Sequence, residues 1–288
     1  MATMAEAAQA TLLPDGRRLH LHHGPIDIVA EAFGPPEERR KAYEQATRRF
    51  QNILAELVDE LPVLRQPITD AGLAVSSSTG KRMVAAIWPH RGAFITPMAA
   101  VAGAVAEEVL AALICERTLS RAYVNNGGDI ALLLMPAHRF SAGVVADQDT
   151  PDVTAAIEVD HDMPVRGLAT SGWRGRSHSL GIADAVTVLA KTAAEADAAA
   201  TLIANAVDVD HPAIERAPAD EVREDSDLGE HPVTIAVGPL PPDVVAAALG
   251  RGVSRATEMR ETGLIHAAQL MLQGQARTVG PLHAANGG

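Results

Sequence analysis

The chain is poor in aromatic residues, with two Trp, two Tyr and four Phe among 288 positions. So few rings leave little surface on which nucleobases could stack. Positive charge is scarce as well, since 24 Lys and Arg stand against 36 Asp and Glu, for a formal net charge of -12. Such a balance repels a nucleic-acid backbone, and no local basic patch offsets it. No nucleic acid is expected as a partner.

Cysteine occurs once, at Cys115. That excludes a disulfide framework and a cysteine-rich metal site. Its place in an apolar helical stretch predicts a buried small side chain. No uncharged run approaches the roughly 20 residues needed to cross a bilayer, and "MATMAEAAQATLLPDGRR" lacks a basic start followed by an apolar core. The expectation is a cytoplasmic protein that makes no use of a membrane. With 47% hydrophobic residues, no sequence repeat and no linker, a single domain spanning 1–288 is expected. A homodimer is compatible with the Ala-rich composition but is not required by it.

What the sequence does contain is an alternation of short strand-like and helical segments. "LLPDGRRLHLHHGPIDIVAEA" reads as a hairpin around Pro14-Asp15-Gly16, with His20 and His22 on one face of its second strand. They form either a solvated pair or a ligand pair. Tyr43, Ala46, Phe50, Ile53, Leu54, Leu57 and Leu61 recur at helical spacing in a helix ending at Pro62. "KRMVAAIWPH" reads as a strand. "ITPMAAVAGAVAEEVLAALICERTL" reads as a long helix, with Thr96 as cap and Pro97 at the first helical position. Gly103 interrupts that helix, which suggests a close approach by another backbone.

Further strands are expected at "FSAGVVA", "VTAAIEV", "RGLATSG" and "DAVTVLA". "TAAEADAAATLIANAVD" then forms a helix capped by Thr192, with Glu195 completing a capping box. The charged segment 215–231 reads as an acidic surface loop. "VTIAVGPL" is a strand, a helix follows from Pro241, and "GLIHAAQLMLQGQARTV" is a final strand. Residues 283–288 are expected to fray.

Three polar clusters stand at element ends. Asn125-Asn126-Gly127-Gly128-Asp129 separates two apolar runs. It reads either as a hairpin turn or as a ligand-holding turn with backbone N–H groups laid bare by the glycines. Thr170-Ser171-Gly172 closes the strand "GLATS". Asp197 and Thr201 lie four apart on a helix, so a carboxylate and a hydroxyl share one face. They could meet a hard cation such as Mg²⁺, or Thr201 could bond back to the Asp197 carbonyl. No Walker loop, GxSxG elbow, HExxH or strand-linked GxGxxG is present.

In their order, "VNNGGDIAL", "GLATSGWRGRSHS" and "VTVLAKTAAEADAAATL" resemble the motif series of the ApbE family of flavin transferases. The helix "ITPMAAVAGAVAEEV" resembles the one that precedes the first motif there, and the motif-bearing core covers residues 82–207. The whole chain is similar to the ApbE-like UPF0280 family, through "PMAAVAGAVAE", "NNGGDI" and "DLGEHPVTIAVG". This resemblance implies an α+β fold of antiparallel sheets and packed helices. It also implies a cleft for FAD or FMN with Mg²⁺, or for a related pterin-like or nucleotide-like ligand.

By the same match, Asp197 and Thr201 would ligate the metal. Asn125, Gly127, Gly128, Asp129, Thr170, Ser171 and Gly172 would line the flavin-nucleotide site. The His-x-x-Asp-Pro-x-Thr-Gly segment of the transferases is missing, and "WRGRSHSLGIADA" occupies its interval. His178 is the candidate base in that stretch, Asp184 could stand in beside it, and Arg174 and Arg176 could pair with phosphates. The implied function is a Mg²⁺-dependent transferase. The alternatives are a non-catalytic flavin-binding protein and a scaffold in cofactor biosynthesis, for example of a tetrahydromethanopterin-type one-carbon cofactor.

Overall fold

The computed structural model describes residues 7–145, 153–175 and 177–282. The chain divides into two compact units. One holds Met1–His138, Arg166–Leu168 and Thr192–Glu195, and the other holds Arg139–Val165, Ala169–Lys191 and Ala196–Gly288.

The first unit is built on an antiparallel meander of β1 (Gln9–Leu12), β2 (Leu19–His23), β3 (Ile26–Phe33), β4 (Arg121–Asn126) and β5 (Asp129–Leu134). The expected hairpin at Pro14-Asp15-Gly16 is there. A second turn at Gly24, with φ +56°, adds a third strand to it. One face of the meander, with Ile28, Ala30, Ala122 and Val124, is buried. Helices α1 (Pro36–Leu64) and α3 (Val101–Ile114) pack against these strands and against each other. Phe50 and Ile53 of α1 and Val105 and Val109 of α3 are fully or nearly fully enclosed. Each contributes about 1.5–3 kcal/mol by burial. Pro62 sits in the last turn of α1, and the helix runs two residues past it.

"KRMVAAIWPH" is not a strand. Residues Ser78–Ile87 form α2, whose cap Ser77 accepts the Gly80 N–H at 2.9 Å. Thr79, Gly80, Met83, Ala86 and Ile87 are buried at helical intervals. A reading that starts at Lys81 misses the cap and the first buried turn, and the six consecutive apolar residues Met83 to Trp88 then pass for a strand. The helix expected from Thr96 opens as a 3-10 turn, Pro97–Ala100. Thr96 gives it no side-chain cap, although its carbonyl accepts the Ala99 N–H at 3.1 Å. By length and composition Pro97–Ile114 is apolar enough to cross a membrane, yet more than half of it is buried inside this protein. Cys115 lies just past its end and is exposed, contrary to the expected burial.

The second unit carries β9 (Ala185–Ala190), whose six residues are all buried, with β12 (Ala267–Leu272) and β13 (Gln275–Val279) following in the sheet. The single final strand of the sequence reading is this β12–β13 hairpin. It turns at Gln273 and Gly274, both at positive φ, +44° and +77°. Glutamine is an unusual choice there, so no Asn-Gly signal announces the turn. Helix α6 (Pro242–Glu261) packs on β12 and β13. Strands β6 (Arg139–Val145) and β7 (Val153–Asp160) form a two-stranded sheet.

The segment 215–231 is only partly a loop. It contributes to β10 (Ile214–Pro218) and contains the short helix α5 (Ala219–Val222), and β10 pairs with β11 (Pro232–Val237). Ala219, Val233 and Thr234 are buried, which is enough to hold this charged stretch in regular structure. Strand β8 (Gly167–Ser171) and helix α4 (Ala193–Ala206) have residues in both units. Residues 283–288 lie outside the described residues, as does Arg176.

Candidate functional site

The Asn-Gly-Gly-Asp turn closes the β4–β5 hairpin, with Asn126 paired to Asp129. Gly127 and Gly128 have φ +66° and +113°, so the turn is of the primed kind that demands glycine or asparagine. Asn125 Oδ1 accepts the Gly128 N–H at 2.8 Å. Asn126 is buried and donates from Nδ2 to the Ala102 carbonyl of α3 at 3.1 Å. Asp129 is buried too, while both glycines are exposed and a Cβ on Gly128 would meet nothing within 4 Å. The turn is therefore rigidly seated on α3 and open at its tip.

The first turn of α4 belongs to the same unit and is gripped from α3. Glu107 Oε1 accepts the Ala194 N–H at 2.7 Å, and Glu107 Oε2 accepts from Arg82 at 3.2 Å. A Cβ on Gly103 would collide with the Ala193 carbonyl, so the expected close backbone approach is real. Thr192 caps the helix as read from sequence, its Oγ1 accepting the Glu195 N–H at 3.2 Å. Beside Glu107, Glu108 is buried. Burial alone would raise its carboxyl, yet Ser78, Arg49 and Arg82 all donate to it and bring it below the usual carboxylate range.

In the second unit, α4 presents one half-exposed stripe on an otherwise buried surface. Ala196, Ala198, Ala199, Ala200, Leu202, Ile203 and Ala204 are buried, whereas Asp197, Thr201 and Asn205 are half-buried. These three recur every four residues and so lie on one face. Asn205 Oδ1 accepts from Ser179 Oγ at 3.1 Å and from the Leu180 N–H at 3.0 Å. Ser179 and Leu180, which follow His178, thus meet this face at its C-terminal end, at Asn205. His178 is itself half-buried. The Thr170 and Thr187 hydroxyls share a hydrogen bond of 2.9 Å. Gly172 is buried, and a Cβ there would collide with the Asp184 carbonyl.

Asp184 is committed to structure. Its Oδ1 accepts from the Trp173 indole at 3.2 Å and from Arg174 at 2.9 Å, and its Oδ2 accepts the Gln273 N–H at 2.5 Å. Arg174 also lies over the Trp173 ring, 4.7 Å from its centroid. Sequence reasoning left Trp173 and Gln273 unnoticed because their partner is remote along the chain and no motif marks it.

The donor set on α4 suits a hard cation. A carboxylate and a hydroxyl four residues apart supply two oxygens, and Mg²⁺ is commonly held by one or two carboxylates together with waters and ligand phosphates. Among the described residues, no group of three His, Cys, Asp or Glu side chains is placed to hold a metal ion. Any cation here would thus share its shell with a ligand.

Comparison with known proteins now decides the family. The family model described as "AbpE bacteria" matches residues 10–278. The chain belongs to that ApbE-like family. Among its relatives, a UPF0280 protein of Methanopyrus kandleri is 37% identical over 164 residues, covering 54% of this chain and 65% of the relative. Another, from Methanothrix thermoacetophila, is 38% identical over 117 residues, or 40% of this chain and 48% of the relative. In both, the aligned part is less than two thirds of the relative. The crystal structure of the ApbE protein from Thermotoga maritima superposes with a TM-score of 0.50 at 13% identity, covering 94% of this chain and 96% of that one. This chain therefore has the ApbE-like α+β fold that the motif order implied.

Proposed function

We propose that this UPF0280 protein binds a flavin nucleotide of the FAD or FMN type, or a pterin-like relative, and acts on it as a Mg²⁺-dependent transferase. The observation that carries the reading is the Asp197–Thr201 stripe, the half-exposed polar line on a helix otherwise buried in alanine and aliphatic side chains. Membership of the ApbE-like family over residues 10–278 supports the same reading.

In this reading Asp197 and Thr201 hold the cation, which when bound would neutralise charge on a pyrophosphate. In the first unit, Gly127 and Gly128 leave their backbone open to a ligand group, with Asn125 and Asp129 on either side. Thr170, Ser171 and Gly172 offer hydroxyl and backbone partners. Arg174 keeps guanidinium nitrogens beyond the one bonded to Asp184 for an anionic group. His178, just before the Ser179 that bonds to Asn205, is one candidate to take the proton of an acceptor hydroxyl.

A second reading rests on the satisfied geometry of the first motif. The Gly128 N–H already has Asn125 as its acceptor, so the turn is complete without a ligand, as a non-catalytic binding or scaffold protein would have it. Equilibrium binding of FAD, FMN, ADP and a reduced pterin, each with and without Mg²⁺, separates the two. Saturable binding that needs Mg²⁺ supports the transferase-type site. Binding without Mg²⁺ supports a carrier, and no binding of any of the four supports the scaffold.

A further inference from the structure

A group of residues in the first unit has the arrangement of an acid–base site. Asp27 Oδ2 lies 3.2 Å from His20 Nε2 and 3.2 Å from His22 Nδ1. The rings are 6.4 Å apart, and all three side chains are substantially open to solvent. The carboxyl of Asp27 is held below its ordinary range. Partial burial opposes that shift, and the two imidazole hydrogen bonds outweigh it.

The strand register places the group beside the Asn-Gly-Gly-Asp turn. His22 pairs with Asp27, His20 with Val29, and Val29 with Asn125, and directly paired residues project from the same face of a sheet. Ile28 pairs with Asn126, so Asp27 is next in line with Gly127. On the other side, β1 contributes only the neutral Thr11 and Gln9 opposite His20 and His22. Two imidazoles, their shared carboxylate and Asn125 thus line one face at the end of the sheet where the turn opens.

We infer that His20, His22 and Asp27 are an acid–base site for the ligand held at this turn, with Asp27 as the positioning residue, a dinucleotide pyrophosphate as the ligand class and the hydroxyl of a separate acceptor as the group that gives up its proton. The inference rests on the proposed nucleotide-binding reading. An ionised carboxylate accepts hydrogen bonds and donates none, so it fixes His20 as the Nε2–H tautomer and His22 as the Nδ1–H tautomer. His20 Nδ1 and His22 Nε2 are then lone-pair acceptors directed away from Asp27. A carboxylate orienting an imidazole whose other nitrogen faces the substrate is the general arrangement of a base. In the transfer step, the hydroxyl proton passes to one of these nitrogens. The hydroxyl oxygen forms a bond to a pyrophosphate phosphorus, the bridging P–O bond breaks, and the nucleoside monophosphate leaves with that electron pair. The imidazolium so formed is stabilised by Asp27.

Long-range ¹H–¹⁵N spectra of the full chain test this. The signals are assigned with His20→Gln and His22→Gln, and FAD with Mg²⁺ is the added probe. Expected is an Nδ1–H tautomer at His22 that Asp27→Asn abolishes while far-UV spectra stay unchanged, together with shifts of His20 Nδ1 and His22 Nε2 when FAD is added. If FAD binds by flavin fluorescence and neither nitrogen moves, the inference is overturned while nucleotide binding stands. If His22 is an Nε2–H tautomer in the unsubstituted protein, the inference also fails. If FAD does not bind, the nucleotide reading fails and the inference falls with it.

Discussion

Glu107 on α3 accepts the Ala194 N–H at 2.7 Å, so a side-chain carboxylate of one helix caps the first turn of another. Glu107 is largely enclosed, with its side chain 13% exposed, and its second oxygen is held by Arg82. Negative charge at a helix N-terminus is favourable. Glu107→Gln keeps the shape and removes the charge. It is expected to cost about 1–2 kcal/mol, read as a fall of several degrees in Tm. An unchanged Tm would remove Glu107 as the cap that holds α4.

Two helical glycines make opposite predictions. Gly103→Ala drives a methyl into the Ala193 backbone, so an overpacking cost of about 1–3 kcal/mol exceeds the gain of about 1 kcal/mol from better helix propensity. Gly250 on α6 is exposed, and a Cβ there meets nothing within 4 Å. Gly250→Ala should stabilise by about 0.5–1 kcal/mol. Urea midpoints of the two variants decide it, and the account fails if both move in the same direction.

Glu60 predicts a specific acid response. Burial would raise its carboxyl, but backbone and hydroxyl donors from Ser77 and Ser76 lower it to about 2, from an ordinary value of 4.5. Because the folded value is the lower one, the stability it contributes is fully present above the unfolded value and is lost as pH falls toward 2. Glu60→Gln should therefore destabilise the protein at pH 7 and match it near pH 2. Unfolding midpoints across that range are the check, and a gap that stays constant with pH would contradict the assignment.

The parts of the fold that were legible in the sequence are those with local signals. Thr192 and Glu195 announced the start of α4, Gly103 announced a close contact, and the paired glycines at 127 and 128 announced the β4–β5 hairpin. Where the signal lay outside the window read, it was lost. Ser77 caps α2 four residues before the stretch that looked like a strand, and Gln273 turns a hairpin with a residue that rarely adopts positive φ. Cys115 looked buried because its neighbours are apolar, but it falls just past the end of α3, where the helix no longer shields it.

The candidate site was legible mainly as an order of motifs. Its supports, Glu107 on Ala194 and Asp184 on Trp173, Arg174 and Gln273, join residues 87, 11, 10 and 89 positions apart along the chain. No local pattern encodes such pairs. The His20–Asp27–His22 group was half visible, since its histidines could be placed on one face, but Asp27 joins them only through the β2–β3 register.

Thermal unfolding of the full chain with FAD, with and without Mg²⁺, shows whether α4 carries a cation-dependent nucleotide site. Ligand at about 100 times its Kd adds about 2.7 kcal/mol, a rise in Tm of about 4–5 °C for a chain of this size. The account predicts that rise for the unsubstituted protein only when Mg²⁺ is present, and its loss in Asp197→Ala with the ligand-free Tm little changed. A rise that Asp197→Ala leaves intact, or a flat response to FAD with Mg²⁺, would contradict it.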